Sequence, residues 1–157
     1  MLSWINGVSK ILFRVNYIFH KTNNMLIAFL MIVVHFIADF IFQAEKWAIN
    51  KSKSNVALFH HVRVYSTFWI FASCLMFGYA RPNETTEWYL IHSALFALIT
   101  FIAHFITDYI TSRIVSKRFA NNHYGSPIPN FGAFTIIGFD QVLHYAQLFL
   151  TFHILTK

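Results

Sequence analysis

The sequence predicts an all-α integral membrane protein, a four-helix bundle preceded by an amphipathic helix at the membrane interface. Its composition is the first reason: 57% of the 157 residues are hydrophobic and 19% aromatic, against 11% charged. That balance is typical of membrane proteins rather than soluble domains. The second reason is the presence of four apolar stretches, each near or above the roughly 20 residues that cross hydrocarbon as a helix.

Residues 1–23 form the predicted interfacial helix. Their Ile, Leu, Val and Phe side chains recur along one helical stripe, and Lys10, Arg14 and Lys21 lie on the opposite one. An amphipathic helix packed on its own protein is the alternative. The remainder, 24–157, is predicted to be one transmembrane domain, whose four spans are 25–42, 56–79, 88–115 and 131–155.

Two basic connectors, 44–55 and 116–130, fall on the same face of such a bundle. The positive-inside rule favours that face as cytoplasmic, in a multi-pass protein of a bacterial inner membrane or its equivalent. The net charge of +6 suits anionic lipid headgroups, and no nucleic-acid motif is visible. The expected partners are therefore membrane lipids and further copies of the chain, with no nucleic acid.

Each aspartate of the chain has a histidine four residues away. Residues at this spacing share one face of a helix, so each pair can aim an imidazole and a carboxylate at one point. Ionisable residues inside a membrane are costly and usually functional. The pairs are His35 with Asp39, His104 with Asp108, and Asp140 with His144.

Depth along the antiparallel helices places all three pairs at one level, near the basic face. His60 and His61 enter the second span at the same level. Imidazole and carboxylate together suit Zn²⁺ first, with Mn²⁺ or Fe as alternatives, and the set can hold one or two divalent ions. A hydrogen-bonded network that only fixes helix register is the competing interpretation. The predicted metal ligands are His35, Asp39, His60, His61, His104, Asp108, Asp140 and His144.

Four residues are predicted to take part in catalysis. Asp39 and Asp108 are candidate bases, Gln43 is a candidate hydrogen-bond partner of ligands or substrate, and Arg63 is a candidate holder of an anionic group. Lys51 flanks the same site.

A short repeat links the two halves of the transmembrane domain. "HFIADFI" at 35–41 aligns with "HFITDYI" at 104–110, and each is followed by a basic segment and a further helix that carries histidine. The alignment predicts two parallel helix-pair units, about 25–79 and 88–155, with the site where they meet.

The stretch "HFIADFIFQAEKWAINKSKSNVALFHHVRVY", together with "DQVLHYAQL", resembles the domain-of-unknown-function 3307 family of small multi-pass membrane proteins from bacteria and their phages. The family's opening motif reads approximately HxxxDFxxQ, and its closing motif reads DQxxH. The resemblance covers most of the chain from Met25 onward. It singles out His35, Asp39, Gln43, His60 or His61, Asp140, Gln141 and His144, and it implies no activity.

The leading functional hypothesis is a membrane-embedded metal-binding protein that acts as a hydrolase. A metal-activated water would attack a lipid or another amphiphilic substrate. The first alternative is a transporter of ions, metal or protons. The second is a structural or interaction protein, such as a phage-encoded membrane effector, held by a buried Asp/His network.

Overall fold

The computed structural model describes residues 24–121 and 131–157. The predicted interfacial helix at 1–23 and most of the connector 116–130 lie outside the described residues. Within the part that is described, the chain is helical and contains no strand. The all-α prediction is therefore confirmed.

Four long helices occupy the four apolar stretches, and a short helix lies between the first two. α4 continues five residues beyond the predicted end at 115, and α2 forms where the sequence indicated only a connector. The helices are α1 (Asn24–Ile41), α2 (Glu45–Asn50), α3 (Asn55–Ala80), α4 (Thr86–Ala120) and α5 (Phe131–Leu155).

The last turn of α1, Ile37–Ile41, is a π-helix. The Phe42 N–H donates to the Ile37 carbonyl at 3.0 Å, which closes a turn with one extra residue. Ala38 and Asp39, within this turn, are both buried. The Asp39 carboxylate therefore lies inside the bundle.

Side-chain caps fix the starts of α3 and α4. The Ser54 hydroxyl accepts a hydrogen bond from the Ala57 N–H, and the Thr85 hydroxyl accepts one from the Trp88 N–H. Each cap satisfies one of the backbone donors that a helix leaves free in its first turn. The two caps set where these helices begin, and hence the depth of the side chains that follow.

Consecutive long helices run antiparallel around a shared core. Phe77, near the end of α3, packs on Phe152, near the end of α5, with ring centroids 5.0 Å apart. It also contacts Phe96 in the first half of α4. Trp69 and Leu148 are fully buried in the same apolar half. The opposite half of the bundle, where α1 ends and α3 begins, contains the three aspartates, the histidines paired with them, and His60 and His61.

The exterior is strongly apolar. Large side chains such as Phe71 and Leu75 are 70% and 78% exposed. Two helices, Asn24–Ile41 and Thr86–Ala120, are long and apolar enough to cross a membrane by length and composition, with mean hydropathies of 2.2 and 1.9 over 18 residues. These two helices are the part of the membrane prediction that the structure supports.

Candidate metal centre

Seven ionisable side chains from four helices converge in one buried cluster, which we call the Asp/His cluster. Every member is at most 8% exposed. α1, α4 and α5 each contribute one aspartate and one histidine that are four residues apart. α3 contributes one histidine. The members are His35, Asp39, His61, His104, Asp108, Asp140 and His144.

Four donor atoms of the cluster lie at the spacing of ligands around a single cation. His61 Nε2 lies 3.1 Å from Asp39 Oδ1, 3.2 Å from Asp108 Oδ2 and 3.2 Å from His104 Nε2. His104 Nε2 lies 3.7 Å from Asp39 Oδ1 and 3.4 Å from Asp108 Oδ2. Tetrahedral ligands about 2.0–2.1 Å from a zinc ion are themselves about 3.3–3.4 Å apart. The five distances are close to this spacing, and Asp39, His61 and His104 form a group whose ligand atoms all lie within 4.8 Å of one another.

Two atoms of the cluster are close to other polar atoms but are not hydrogen-bonded to them. Asp39 Oδ1 and His144 Nε2 are buried and have no hydrogen-bond partner among the described residues. In a network held by hydrogen bonds, donors point at acceptors, and an unsatisfied buried polar atom costs about 1–3 kcal/mol. Donors that surround a cation instead point at a common centre. Asp39 Oδ1 and His144 Nε2 are therefore available to a cation, whereas His61 Nε2 and His104 Nε2 lie within hydrogen-bond distance of each other.

A second group of potential ligands shares a side chain with the first. His104, Asp108 and His144 offer donor atoms that all lie within 4.8 Å of one another. His144 Nε2 lies 3.4 Å from Asp108 Oδ1 and 3.3 Å from Asp140 Oδ2. The cluster is thus larger than one four-ligand site requires.

Lys51, in the turn after α2, places its ammonium against the cluster. Its Nζ donates to Asp108 Oδ2 at 2.8 Å and lies 3.5 Å from His61 Nε2. Burial alone would lower the pKa of the Lys51 amine, but the nearby Asp108 and Asp39 carboxylates outweigh it and raise this pKa above its ordinary value. The side chain therefore remains positively charged at neutral pH.

His35 is held by neighbours at both ring nitrogens. Nδ1 lies 2.7 Å from the Tyr65 hydroxyl, and Nε2 lies 2.7 Å from Gln141 Oε1. Its Nε2 is 3.9 Å from Asp39 Oδ2. Since both nitrogens are occupied, His35 orients the residues around it rather than offering a free ligand atom. Such outer partners fix the geometry of metal ligands.

Tyr65 and Thr111 also contact members of the cluster, although neither was among the predicted site residues. The Thr111 hydroxyl donates to Asp140 Oδ1 at 2.5 Å. Tyr65 follows His61 by four residues and Thr111 follows Asp108 by three, so both share the helix face of a cluster member. That spacing was a signal that could have found them.

A cavity of about 620 Å³ opens onto the cluster between α1, α2, α4 and α5. The Asp39, Asp108 and Asp140 carboxylates line its inner end. Its other walls are mostly apolar, with two lysines and several hydroxyl side chains. They include Phe40, Ile49, Lys51, Lys53, Ser112, Val115, Ser116, Phe119, Ile136 and Ile137.

Residues 26–157 match the family described as "Protein of unknown function (DUF3307)". The chain belongs to the DUF3307 family. This membership confirms the resemblance noted in the sequence, and the match includes every helix that contributes to the Asp/His cluster. No curated protein and no solved structure is significantly similar to the chain. Family membership assigns no activity to a DUF3307 protein, so its function has to be argued from the site.

Not all the predicted site residues of this DUF3307 chain meet in the cluster. The ring of His60 instead stacks on Trp47, with centroids 5.0 Å apart. Arg63 is exposed on the outer face of α3. Gln43 lines the cavity, and its buried Oε1 has no hydrogen-bond partner in the described part of the chain. The structure thus brings Gln43 to the site and leaves His60 and Arg63 outside it.

Proposed function

We propose that the four long helices all span a membrane, with the basic connectors on the cytoplasmic side. The distribution of polarity supports this. The bundle interior buries all three aspartates of the chain, whereas its exterior carries large apolar side chains along every long helix. Soluble proteins show the reverse, because water favours polar groups outside. α3 and α5, with 26 and 25 residues, are about 38 Å long, enough to cross the roughly 30 Å hydrocarbon core.

The Asp/His cluster then binds a divalent metal, with Zn²⁺ as the first candidate. One observation carries this proposal: Asp39 Oδ1, His61 Nε2, His104 Nε2 and Asp108 Oδ2 are spaced 3.1–3.7 Å apart in the five measured pairs. We call this set the first site. Mixed imidazole and carboxylate ligands suit Zn²⁺, and Mn²⁺ or Fe are the alternatives.

The reaction that the Asp/His cluster supports best is hydrolysis of an amphiphile. A bound divalent cation lowers the pKa of water toward neutrality and polarises an ester or phosphoryl oxygen. The cavity brings an apolar chain and an anionic group to the same place, because apolar walls and Lys51 and Lys53 line it together. Asp39 also lines the cavity, and its Oδ2, which is not a donor of the first site, is the candidate acceptor of the proton from water. The unpartnered Gln43 Oε1 is placed to accept a hydrogen bond from substrate or water.

Metal analysis of the purified protein in detergent tests metal binding. We expect at least one zinc ion per chain in the wild type, fewer in His61→Gln, and the wild-type content in His60→Gln. The two histidines are adjacent on α3, but only His61 belongs to the cluster, so the second variant controls for loss of a histidine in the same helix. Wild-type protein without metal, or a His61→Gln variant with undiminished metal, contradicts the proposal and favours a purely hydrogen-bonded network.

Turnover is measured on two chromogenic amphiphiles, a long-chain 4-nitrophenyl carboxylic ester and a long-chain alkyl 4-nitrophenyl phosphate. The cavity lysines favour the anionic phosphate. In the wild type and in His60→Gln, we expect activity that disappears with chelator and returns with Zn²⁺. In His61→Gln we expect no activity under either condition. Bound metal with no turnover of either probe contradicts hydrolysis of these two ester classes.

Ion or proton transport is the second candidate, and a polar seam favours it. Gln147 on α5 donates from Nε2 to the hydroxyls of Thr100 and Thr151, both 3.1 Å away. With buried Ser93, these residues extend from His104 toward the opposite end of the bundle. Proton or zinc flux into proteoliposomes tests this candidate. Flux that is lost in Gln147→Leu while zinc stays bound would support transport along the seam.

A further inference from the structure

The Asp108 carboxylate lies between two sets of potential ligands. Its Oδ2 lies 3.2 Å from His61 Nε2 and 3.4 Å from His104 Nε2, in the first site. Its Oδ1 points elsewhere and lies 3.4 Å from His144 Nε2. A carboxylate in this position has a separate oxygen for each of two cations, so it can bridge them.

The donor atoms near Asp108 Oδ1, which belong to His144 and Asp140, are of the types that form a separate metal site. His144 Nε2 lies 3.3 Å from Asp140 Oδ2, which is close to the ligand spacing found in the first site. His144 is 1% exposed, and its Nε2 has no hydrogen-bond partner among the described residues. A buried, unpartnered imidazole nitrogen beside two carboxylates is the chemistry that a divalent cation satisfies.

Outer contacts hold Asp140 in place for this role. Its Oδ1 accepts a hydrogen bond from Thr111, and its Oδ2 accepts one from the Gln141 amide at 3.1 Å. Gln141 in turn contacts His35 through its Oε1. Metal-ligating carboxylates are commonly oriented by such neighbours.

The rings of His104 and His144 give the spacing between the two centres. They stack nearly parallel, with an angle of 15° between planes and 4.1 Å between centroids. Each directs its Nε2 to a different oxygen of Asp108. Two parallel rings about 4 Å apart place their ligated ions at a similar separation, and paired catalytic metals in hydrolytic enzymes lie about 3.5–4 Å apart.

We propose that the cluster holds a second divalent cation, bound by His144, Asp140 and Asp108 and bridged through Asp108 to the ion of the first site. This inference rests on the proposed metal-binding function. The first site has four protein donors and is closed. The second site has three protein donors, which leaves a coordination position for water or substrate, and Asp108 and Asp140 line the cavity. Open coordination positions distinguish catalytic from structural metal sites. The second site is therefore the one that would contact an anionic group of the substrate.

Titration with Mn²⁺ tests this inference. Metal-free protein in detergent is titrated with Mn²⁺, bound ions are counted by elemental analysis, and the spectrum is recorded by electron paramagnetic resonance. We expect two bound ions per chain and an exchange-coupled spectrum in the wild type. Asp140→Asn and His144→Gln should each bind one ion with an isolated six-line spectrum, and His60→Gln should behave as the wild type.

The outcomes separate the two proposals. No bound Mn²⁺ in the wild type, and no bound zinc when the titration is repeated with Zn²⁺, overturns both the first site and the second. One bound ion in the wild type that persists in Asp140→Asn overturns only the second site. Two ions with an uncoupled spectrum overturn the bridge through Asp108. Circular dichroism checks that each variant is folded, and retention of one ion in Asp140→Asn shows that its first site is intact.

Discussion

Replacement of Lys51 by methionine should destabilise the metal-free protein far more than the metal-loaded one. The Lys51 ammonium lies 2.8 Å from Asp108 Oδ2, an oxygen of the first site. If a cation binds that oxygen, it supplies the positive charge that the ammonium supplies in its absence. The two charges therefore compete to compensate the same carboxylate, and Lys51→Met removes one of them while preserving most of the side-chain volume.

The size of the effect follows from the contact. Two unit charges 2.8 Å apart attract by about 6 kcal/mol at an effective dielectric constant of about 20. The Lys51 side chain is 22% exposed, so solvent screening and the desolvation of both groups reduce the net contribution to about 1–3 kcal/mol. Without the ammonium, we expect zinc affinity to rise about tenfold, which corresponds to about 1.4 kcal/mol.

Lys53→Met is the matched control, because Lys53 belongs to the same turn and lines the same cavity but is exposed. Unfolding in detergent is followed for both variants with chelator and with saturating Zn²⁺, and affinity is measured by titration calorimetry. Lys51→Met should be less stable than Lys53→Met by about 1–3 kcal/mol with chelator and equally stable with Zn²⁺. An equal deficit under both conditions, or a weaker zinc affinity, would refute the competition between ammonium and metal.

Three further substitutions test the packing and the limits of the cluster. Leu148→Ala should lower the free energy of unfolding by about 2–5 kcal/mol because Leu148 is fully buried, whereas Leu150→Ala, at a side chain 61% exposed, should leave it unchanged; denaturation in detergent measures both. Tyr65→Phe should cost about 1–3 kcal/mol by leaving His35 Nδ1 without its partner, and elemental analysis should show the wild-type metal content. Arg63→Gln should leave bound metal unchanged, and a loss of metal would contradict the exposed position of that side chain.

The sequence predicted the positions of the helices and the depth of the cluster within the bundle, because both depend on regular spacing. Each His/Asp pair is separated by one helical turn, and helix length fixes the depth of each pair within an antiparallel bundle. The same regularity cannot choose between His60 and His61, which are adjacent and differ by about 100° around α3. In a soluble protein an amphipathic pattern would decide between them. Here outward-facing and core-facing side chains are both apolar, so that pattern is weak.

The features that escaped prediction depend on irregular backbone. The π turn at Ile37–Ile41 was not predicted, because no residue type in this stretch indicates a π-helix. α2 and the turn after it carry Lys51 back to the cluster, although charged residues in a connector ordinarily indicate solvent or headgroups. In both cases the conformation depends on tertiary contacts, which cannot be read from a single sequence.

The charge balance of the cluster connects metal number to substrate class. Asp39, Asp108 and Asp140 contribute three negative charges when ionised, and Lys51 contributes one positive charge. Inside an apolar bundle the remaining two negative charges need compensation, because isolated buried charges are very costly. One divalent ion achieves this and leaves the centre neutral, so it offers an anion little attraction. A second divalent ion raises the net charge to about +2, which makes the open site attractive to a phosphate or carboxylate group. If two ions bind, affinity for an anionic amphiphile should therefore increase steeply as the second ion loads, whereas a neutral amphiphile of the same chain length should show no such dependence.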